Sequence, residues 1–348
     1  MKCVQERKFM KLITFTVPCY NSADYMHVCI ESLLKGGDKV EIVIIDDGSK
    51  DKTGEVADRF QAQYPDIIKV VHQENGGHGE GINQGIRNAT GKYFKVVDSD
   101  DWVGENALKT LLDTIENTPD DQLPDLFVCN YVYYLKETGV DKVIKYGSVF
   151  PAGKTVGWEE THRFGMSQNL TLHSCMFKTS VMKENGLVLP KHTFYEDNLY
   201  VYYSIPFAKT VKYMDVDFYY YLIGRDGQSV AKAAVLKRYK QQILVTTRCF
   251  EAHRLLEIKK TQPRLYACLY HHLRLMMMLA TLFSRMNKTK EADVDNFAMW
   301  DHLMQVDEPL AKKLRWHSIN FWLNIPGKIG QWLCCFGYDF AHLFVKFN

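Results

Sequence analysis

The stretch Tyr93-Phe94-Lys95-Val96-Val97-Asp98-Ser99-Asp100-Asp101-Trp102 runs from an apolar segment straight into three carboxylates within four positions. Carboxylates this close repel one another unless a cation neutralises them. At a strand end, residues i and i+2 point the same way. Asp98 and Asp100 then face one pocket and Asp101 is turned from it. Hard oxygen ligands in an open cluster suit Mg²⁺ or Mn²⁺, which bind through one or two carboxylates plus substrate phosphates. The plainer reading is a turn in which one aspartate caps the next helix. Three in a row favour the metal.

Upstream, the same grammar repeats. Leu12–Val17 reads as a buried strand ending at Pro18, and Asn21 or Ser22 can cap the helix that follows. Val40–Ile45 is a second strand, running into Asp46-Asp47-Gly48-Ser49. A helix over about Thr53–Gln63 leads to a third strand, Ile67–His72, and then to Asn75-Gly76-Gly77-His78-Gly79-Glu80-Gly81. A helix to about Ala89 precedes the strand that reaches the aspartates. Alternating strands and helices predict an α/β fold with a mostly parallel, Rossmann-like sheet and helices on both faces. Ligands of such sheets sit at the carboxyl ends of the strands, and here four strand ends carry all the unusual chemistry. No GxGxxG follows the first strand and no Gly-x4-Gly-Lys-Ser/Thr occurs, so dinucleotide and P-loop readings are weak.

Composition is that of an ordinary globular chain of 348 residues, 46% hydrophobic and 24% charged. The net charge of +2 hides an asymmetry: from Ala231 onward there are 18 Lys and Arg against 9 Asp and Glu. The basic tail could meet an anionic surface. Nine cysteines form no CxxC pair, and the first residues lack the apolar core of an export signal, so reduced thiols in a cytosolic compartment are expected. Residues 1–10 read as an N-terminal extension, Met10-Lys11-Leu12 being an equally natural start. No run approaches the roughly 20 apolar residues of a spanning helix.

Taken together, Val17-Pro18-Cys19-Tyr20-Asn21, Ile45–Thr53, Asn75-Gly76-Gly77-His78-Gly79 and Asp98-Ser99-Asp100-Asp101 resemble the bacterial family 2 glycosyltransferases of the GT-A fold. The resemblance covers about the first 105 residues. It implies inverting transfer of a sugar from a nucleotide-sugar, usually UDP-linked, to an acceptor hydroxyl. It implies further that the end of the first strand and Asp47 hold the base, that Asp98 meets the ribose side, and that Asp100 holds the metal. On the residues alone, Asp46 or Asp47 can supply the acceptor a base edge needs. Tyr20 can stack on a base or simply pack, and His78 can face the donor or be exposed. With Pro18, Asn21, Gly77, Asn83 and Ser99 they make up the expected donor site. Where many relatives carry Arg-Asn after the glycine loop, this chain has Ile82-Asn83.

Further on, Leu126–Tyr134, Val143–Val149, Leu170–Phe177 and Tyr213–Tyr221 read as strands and Trp158–Gly165 as a helix. Glu196-Asp197 resembles the Glu-Asp of the family, which makes Asp197 the expected base for the acceptor hydroxyl; the alternative is that both only favour a helix N-terminus. Arg225, in Gly224-Arg225-Asp226-Gly227, resembles the segment that closes over the donor. From Ala231 the pattern is helical and basic, and Trp332, Phe336, Phe340 and Phe344 recur every four residues. An interfacial helix over 317–347, lying on a membrane, is expected, with packing against protein as its rival.

The expected organisation is a GT-A catalytic domain over 11–230, its nucleotide-sugar half ending near 105 and its acceptor half following, then a helical region over 231–348. The expected enzyme takes a nucleotide-sugar donor, a saccharide or lipid-linked saccharide acceptor and Mn²⁺ or Mg²⁺. It acts in cell-surface or exopolysaccharide synthesis at the inner face of the cell membrane and has no nucleic-acid partner. The rival readings are a sugar-phosphate nucleotidyltransferase, which wants a glycine-rich basic loop after the first strand, and a non-catalytic scaffold.

Overall fold

A computed structural model of the chain describes residues 10–135, 137–138, 141–166, 168–224 and 232–344. The chain divides into two compact units. The first comprises 1–157, 170–193 and 206–222, and the second 158–169, 194–205 and 223–348.

The first unit is a ten-stranded mixed sheet. Its strands are β1 (Ile13–Cys19), β2 (Val40–Asp46), β3 (Ile68–His72), β4 (Tyr93–Val96), β5 (Trp102–Val103), β6 (Leu126–Leu135), β7 (Asp141–Ile144), β8 (Thr155–Gly157), β9 (Cys175–Lys178) and β10 (Thr210–Ile223). The order is β3-β2-β1-β4-β9-β6-β10-β5, with β7 on β6 and β8 on β10. The first four strands pair in parallel, and β4 then meets β9 antiparallel. Helices α1 (Met26–Leu34), α2 (Thr53–Gln63), α3 (His78–Asn88), α4 (Glu105–Asn117) and α5 (Thr179–Glu184) connect them. Every side chain of β1 is buried, the continuous apolar signature of a parallel strand covered on both sides.

β1 does not stop at Pro18 but runs through it to Cys19. Its pairing with β4 ends at Thr16, so at Pro18 that neighbour is gone and the missing N–H costs no ladder bond. The predicted Asn21 or Ser22 side-chain cap is not used: α1 begins at Met26, and the Ser22 carbonyl accepts the first backbone bonds. Trp158–Gly165 forms only a 3₁₀ turn over Trp158–Glu160.

Two glycines of α3 set its distance from β1. A Cβ on Gly81 would come 2.9 Å from Pro18, and one on Gly85 would come 2.0 Å from Thr16 Oγ1. Spaced i and i+4, they form one bare face. Gly85→Ala should cost about 1–3 kcal/mol by overpacking, read as a lower urea midpoint at unchanged slope.

The second unit holds α6 (Glu196–Ser204) and then α7 (Lys232–Lys237), α8 (Tyr239–Ala252), α9 (Leu255–Thr261), α10 (Pro263–Met286), α11 (Lys290–Val306), α12 (Glu308–Trp316), α13 (Asn320–Leu323) and α14 (Gly327–Phe344). α10 is the hub. It packs on α8, α9, α11 and α14. The fully buried Arg285 reaches the turn between α13 and α14, donating from Nη2 to the carbonyls of Ile325 (2.8 Å) and Gly327 (3.2 Å). The single helix expected over 317–347 is therefore two, because Ile325-Pro326-Gly327 breaks it. Among the described residues no helix is long and apolar enough to cross a membrane.

Candidate functional site

Four strand ends meet along one edge of the first unit. Asp47, just past β2, is 3% exposed. Its Oδ1 accepts from Gln73 Nε2 (2.6 Å) and the Gly76 N–H (2.7 Å), and its Oδ2 from the Gly77 N–H (2.8 Å). Asp47 thus moors the glycine loop to the sheet. Gly77 has φ +83°, and a Cβ there would meet His192 N at 2.9 Å, so the loop needs glycine at that point.

Asp46 points the other way. Its Oδ1 accepts from the Ser49 N–H (3.1 Å), and its Oδ2 lies 2.9 Å from His72 Nδ1, whose Nε2 is 3.0 Å from Asp58. Burial alone would raise the Asp46 carboxyl, but the bonds from Ser49 and His72 outweigh it and hold it below the usual range. Hydrogen bonds to Asp46 and Asp58 raise His72. A group with a raised folded pKa contributes stability that is complete below its unfolded value, about 6.5, and is lost as pH climbs through the folded value. The stability lost in His72→Gln should therefore be largest below about pH 6.5 and shrink above it, as read by denaturant titration across pH. Tyr20, half exposed, shares an open cavity of about 550 Å³ with Gly48, Lys50, His72, Gln73, Glu74 and Asn75.

Asn21 and Ser99 tie strand ends together. Asn21 Oδ1 accepts from the Lys50 N–H (2.8 Å), and its own N–H donates to Ser49 Oγ (3.1 Å). Ser99 Oγ lies 2.9 Å from Ser22 Oγ. Pro18 lies under Gly81. The Asn83 amide bonds both backbone groups of Leu189, each at 3.0 Å. These four hold the strand ends and the start of α3 in place.

The aspartate cluster closes the edge. His78 opens α3, and its Nε2 lies 2.9 Å from Asp98 Oδ1. His173 Nε2 is 3.9 Å from Asp98 Oδ2. Burial disfavours the Asp98 anion, but His78 outweighs it and keeps the carboxyl below its usual range. Asp101 is fully buried and behaves in the opposite way: desolvation, then the charges of Asp98 and Asp100, push it well up. It accepts from the Tyr219 hydroxyl (2.6 Å) and the Leu222 N–H (2.9 Å), anchoring the end of β10. Ligand atoms of Asp98, Asp101 and His173 lie within 4.8 Å of one another. Two carboxylates and an imidazole at that spacing fit a divalent cation. Asp100 is half-buried beside them.

His173 is the residue that sequence reasoning missed. Burial pushes its imidazole down to about 4, and Tyr131, Tyr219 and Tyr221 surround it with ring centroids 4.8–5.5 Å away. Lys95, buried in β4, holds the turn that carries it. Its Nζ donates to the carbonyls of Leu172 (2.6 Å), His173 (2.7 Å) and Cys175 (3.1 Å). Burial lowers the Lys95 ammonium to about 8.

Glu196 and Asp197 open α6 in the second unit. Tyr195 before them is left-handed, with φ 70°. Glu196 is 3% exposed, and Asn198 Nδ2 donates to Asp197 Oδ1 (3.1 Å). Arg225 lies outside the described residues.

Residues 14–178 match the family model described as glycosyl transferase family 2. Residues 14–178 form a family 2 glycosyltransferase domain. It is 29% identical over 230 residues to the poly(ribitol-phosphate) beta-glucosyltransferase of Bacillus spizizenii, covering 64% of this chain and 34% of that one. The chain spans less than two thirds of the length of the curated relatives it matches. Among solved structures, S. aureus TarS in complex with UDP-GlcNAc aligns with a TM-score of 0.54 at 20% identity, over 86% of this chain and 92% of that one. The mannosyltransferase PcManGT from Pyrobaculum calidifontis, in complex with GDP-Man and Mn²⁺, aligns at 0.53 and 15%, over 97% and 88%. The family 2 domain therefore has the GT-A fold expected of it.

Proposed function

We propose that the chain is a metal-dependent, inverting glycosyltransferase. It moves a sugar from a nucleotide-sugar, UDP-linked, to a hydroxyl of a saccharide or lipid-linked saccharide in cell-surface polymer synthesis, attached peripherally at the inner face of the cell membrane. The observation that carries this reading is the shared edge on which an open cavity at Tyr20 and His72 and the Asp98 cluster lie. The UDP-GlcNAc bound by TarS supports the donor class, the Mn²⁺ of PcManGT supports the metal, and the polymer named for the Bacillus relative supports the acceptor class.

In this reading the acceptor hydroxyl attacks the anomeric carbon and Asp197 takes its proton. The bond from that carbon to the diphosphate oxygen breaks on the opposite face, so the configuration inverts and nucleoside diphosphate departs. A cation on Asp98 and Asp100, with His173 beside them, would neutralise the charge developing on the departing diphosphate. His78 orients the Asp98 carboxylate, and Tyr20 stacks on the base. Asp46 and Asp47 fix the wall behind that base, and Arg225 belongs to the segment that closes over the donor.

A donor screen tests the reading. Release of nucleoside diphosphate from UDP- and GDP-sugars, dependent on Mn²⁺ or Mg²⁺, is the expected result. Pyrophosphate release from a sugar phosphate plus a nucleoside triphosphate would establish the nucleotidyltransferase instead, and no turnover or nucleotide binding would leave a scaffold.

A further inference from the structure

The fold leaves three tryptophans exposed, and all lie between positions 316 and 332. Trp316 is 56% exposed, Trp322 58% and Trp332 60%, whereas Trp158 and Trp300 are buried. Ile319, Phe321, Ile329 and Phe336 are exposed among them.

These side chains form clusters within the second unit. Trp316 packs on Phe321 at 5.6 Å between centroids and Phe321 on Trp322 at 5.2 Å. Trp332 stacks on Phe336 at 5.4 Å. α14 is apolar on two faces. Cys334 is buried and packs with Met286 and Leu323, which satisfies the core. Ile329, Trp332 and Phe336, at i, i+3 and i+7, form a separate exposed stripe.

The sequence around this stripe is predominantly basic. From Pro309 to Tyr338 the chain carries Lys312, Lys313, Arg315 and Lys328 and no Asp or Glu. A protein-binding patch is depleted of lysine relative to the rest of the surface. Aromatic and aliphatic side chains beside a local excess of cations, of which Lys312 is paired with Glu308 (2.7 Å), match the boundary between anionic head groups and acyl chains, where tryptophan settles.

We propose that α12, α13 and α14 together form a docking surface for an anionic phospholipid bilayer, with Trp322 and Trp332 entering the head-group layer and Lys328 meeting lipid phosphates. This deepens the membrane part of the proposed function and rests on it. It replaces one lying helix with a face built from three short elements.

The full chain is sedimented with phosphatidylcholine vesicles, with and without a minority of phosphatidylglycerol. Binding to the anionic vesicles alone, weakened by salt, is expected. The double variant Trp322→Ser/Trp332→Ser should bind about tenfold or more weakly, with an unchanged melting temperature. Quenching of wild-type tryptophan fluorescence by brominated lipid reads the same contact without any variant. No sedimentation and no quenching would overturn the proposal. So would vesicle binding unaffected by the double substitution, or a wild-type dimer that the substitution makes monomeric without affecting lipid binding. Nucleoside diphosphate release to a soluble acceptor is measured on the same samples, so failure of the glycosyltransferase reading appears separately from failure of this one.

Discussion

Asp98→Asn should lower sugar transfer by about 10²–10³-fold and abolish the metal dependence of nucleotide binding. Asparagine keeps the shape and removes only the charge. That charge holds His78 at 2.9 Å and faces His173 at 3.9 Å. It is also the carboxylate of the cluster that ionises readily, since His78 keeps Asp98 low while burial keeps Asp101 high. Removing it takes away the only easily formed anion of that buried pair. Initial rates of nucleoside diphosphate release, with calorimetric titration of UDP in Mn²⁺, check both halves. Wild-type rates in this variant would sink the metal assignment. Lys95→Met should mimic part of the loss by freeing the turn that carries His173, without touching the aspartates.

Asp197→Asn should cost about 10²–10⁴-fold in kcat with donor affinity unchanged, because a base acts on the acceptor and not on the nucleotide. The position suits the role. Asp197 lies in the first turn of α6, where the helix dipole favours its anion, and the Asn198 amide steadies one of its oxygens. Its neighbour Glu196 is buried and forms part of the packing of that turn. Single-turnover transfer and donor binding, measured on Asp197→Asn and Glu196→Gln side by side, separate the two. Loss of kcat in the Glu196 variant alone would move the base to Glu196.

The parallel half of the fold was legible because its strands are mainly apolar runs ending in distinctive chemistry, and α2 falls on the expected Thr53–Gln63. The far half was less so. Val143–Val149 contributes only β7 at Asp141–Ile144, and Leu170–Phe177 only β9 at Cys175–Lys178. Aromatic density there reflects packing of irregular segments as much as pairing. His173 carried no local mark, since its place beside Asp98 depends on antiparallel pairing of Tyr93 and Phe94 with Lys178 and Phe177. One clue was available: a lysine inside the apolar run at Lys95 must find partners when buried, and those partners are the backbone around His173. Pro326-Gly327 was a second, announcing the break between α13 and α14.

The bare face of α3 constrains any attempt to re-engineer the strand-end edge. Gly81 and Gly85 let the helix rest directly on Pro18 and Thr16, and its first residue supplies the imidazole that holds Asp98. A methyl group at either position lifts the helix and takes His78 with it. A mutational library spread along 78–88 should therefore leave 81 and 85 fixed. Diversity aimed at the base, on the proposed reading, belongs on the cavity wall at Tyr20, Lys50 and Glu74, while Gln73 is kept because it holds Asp47.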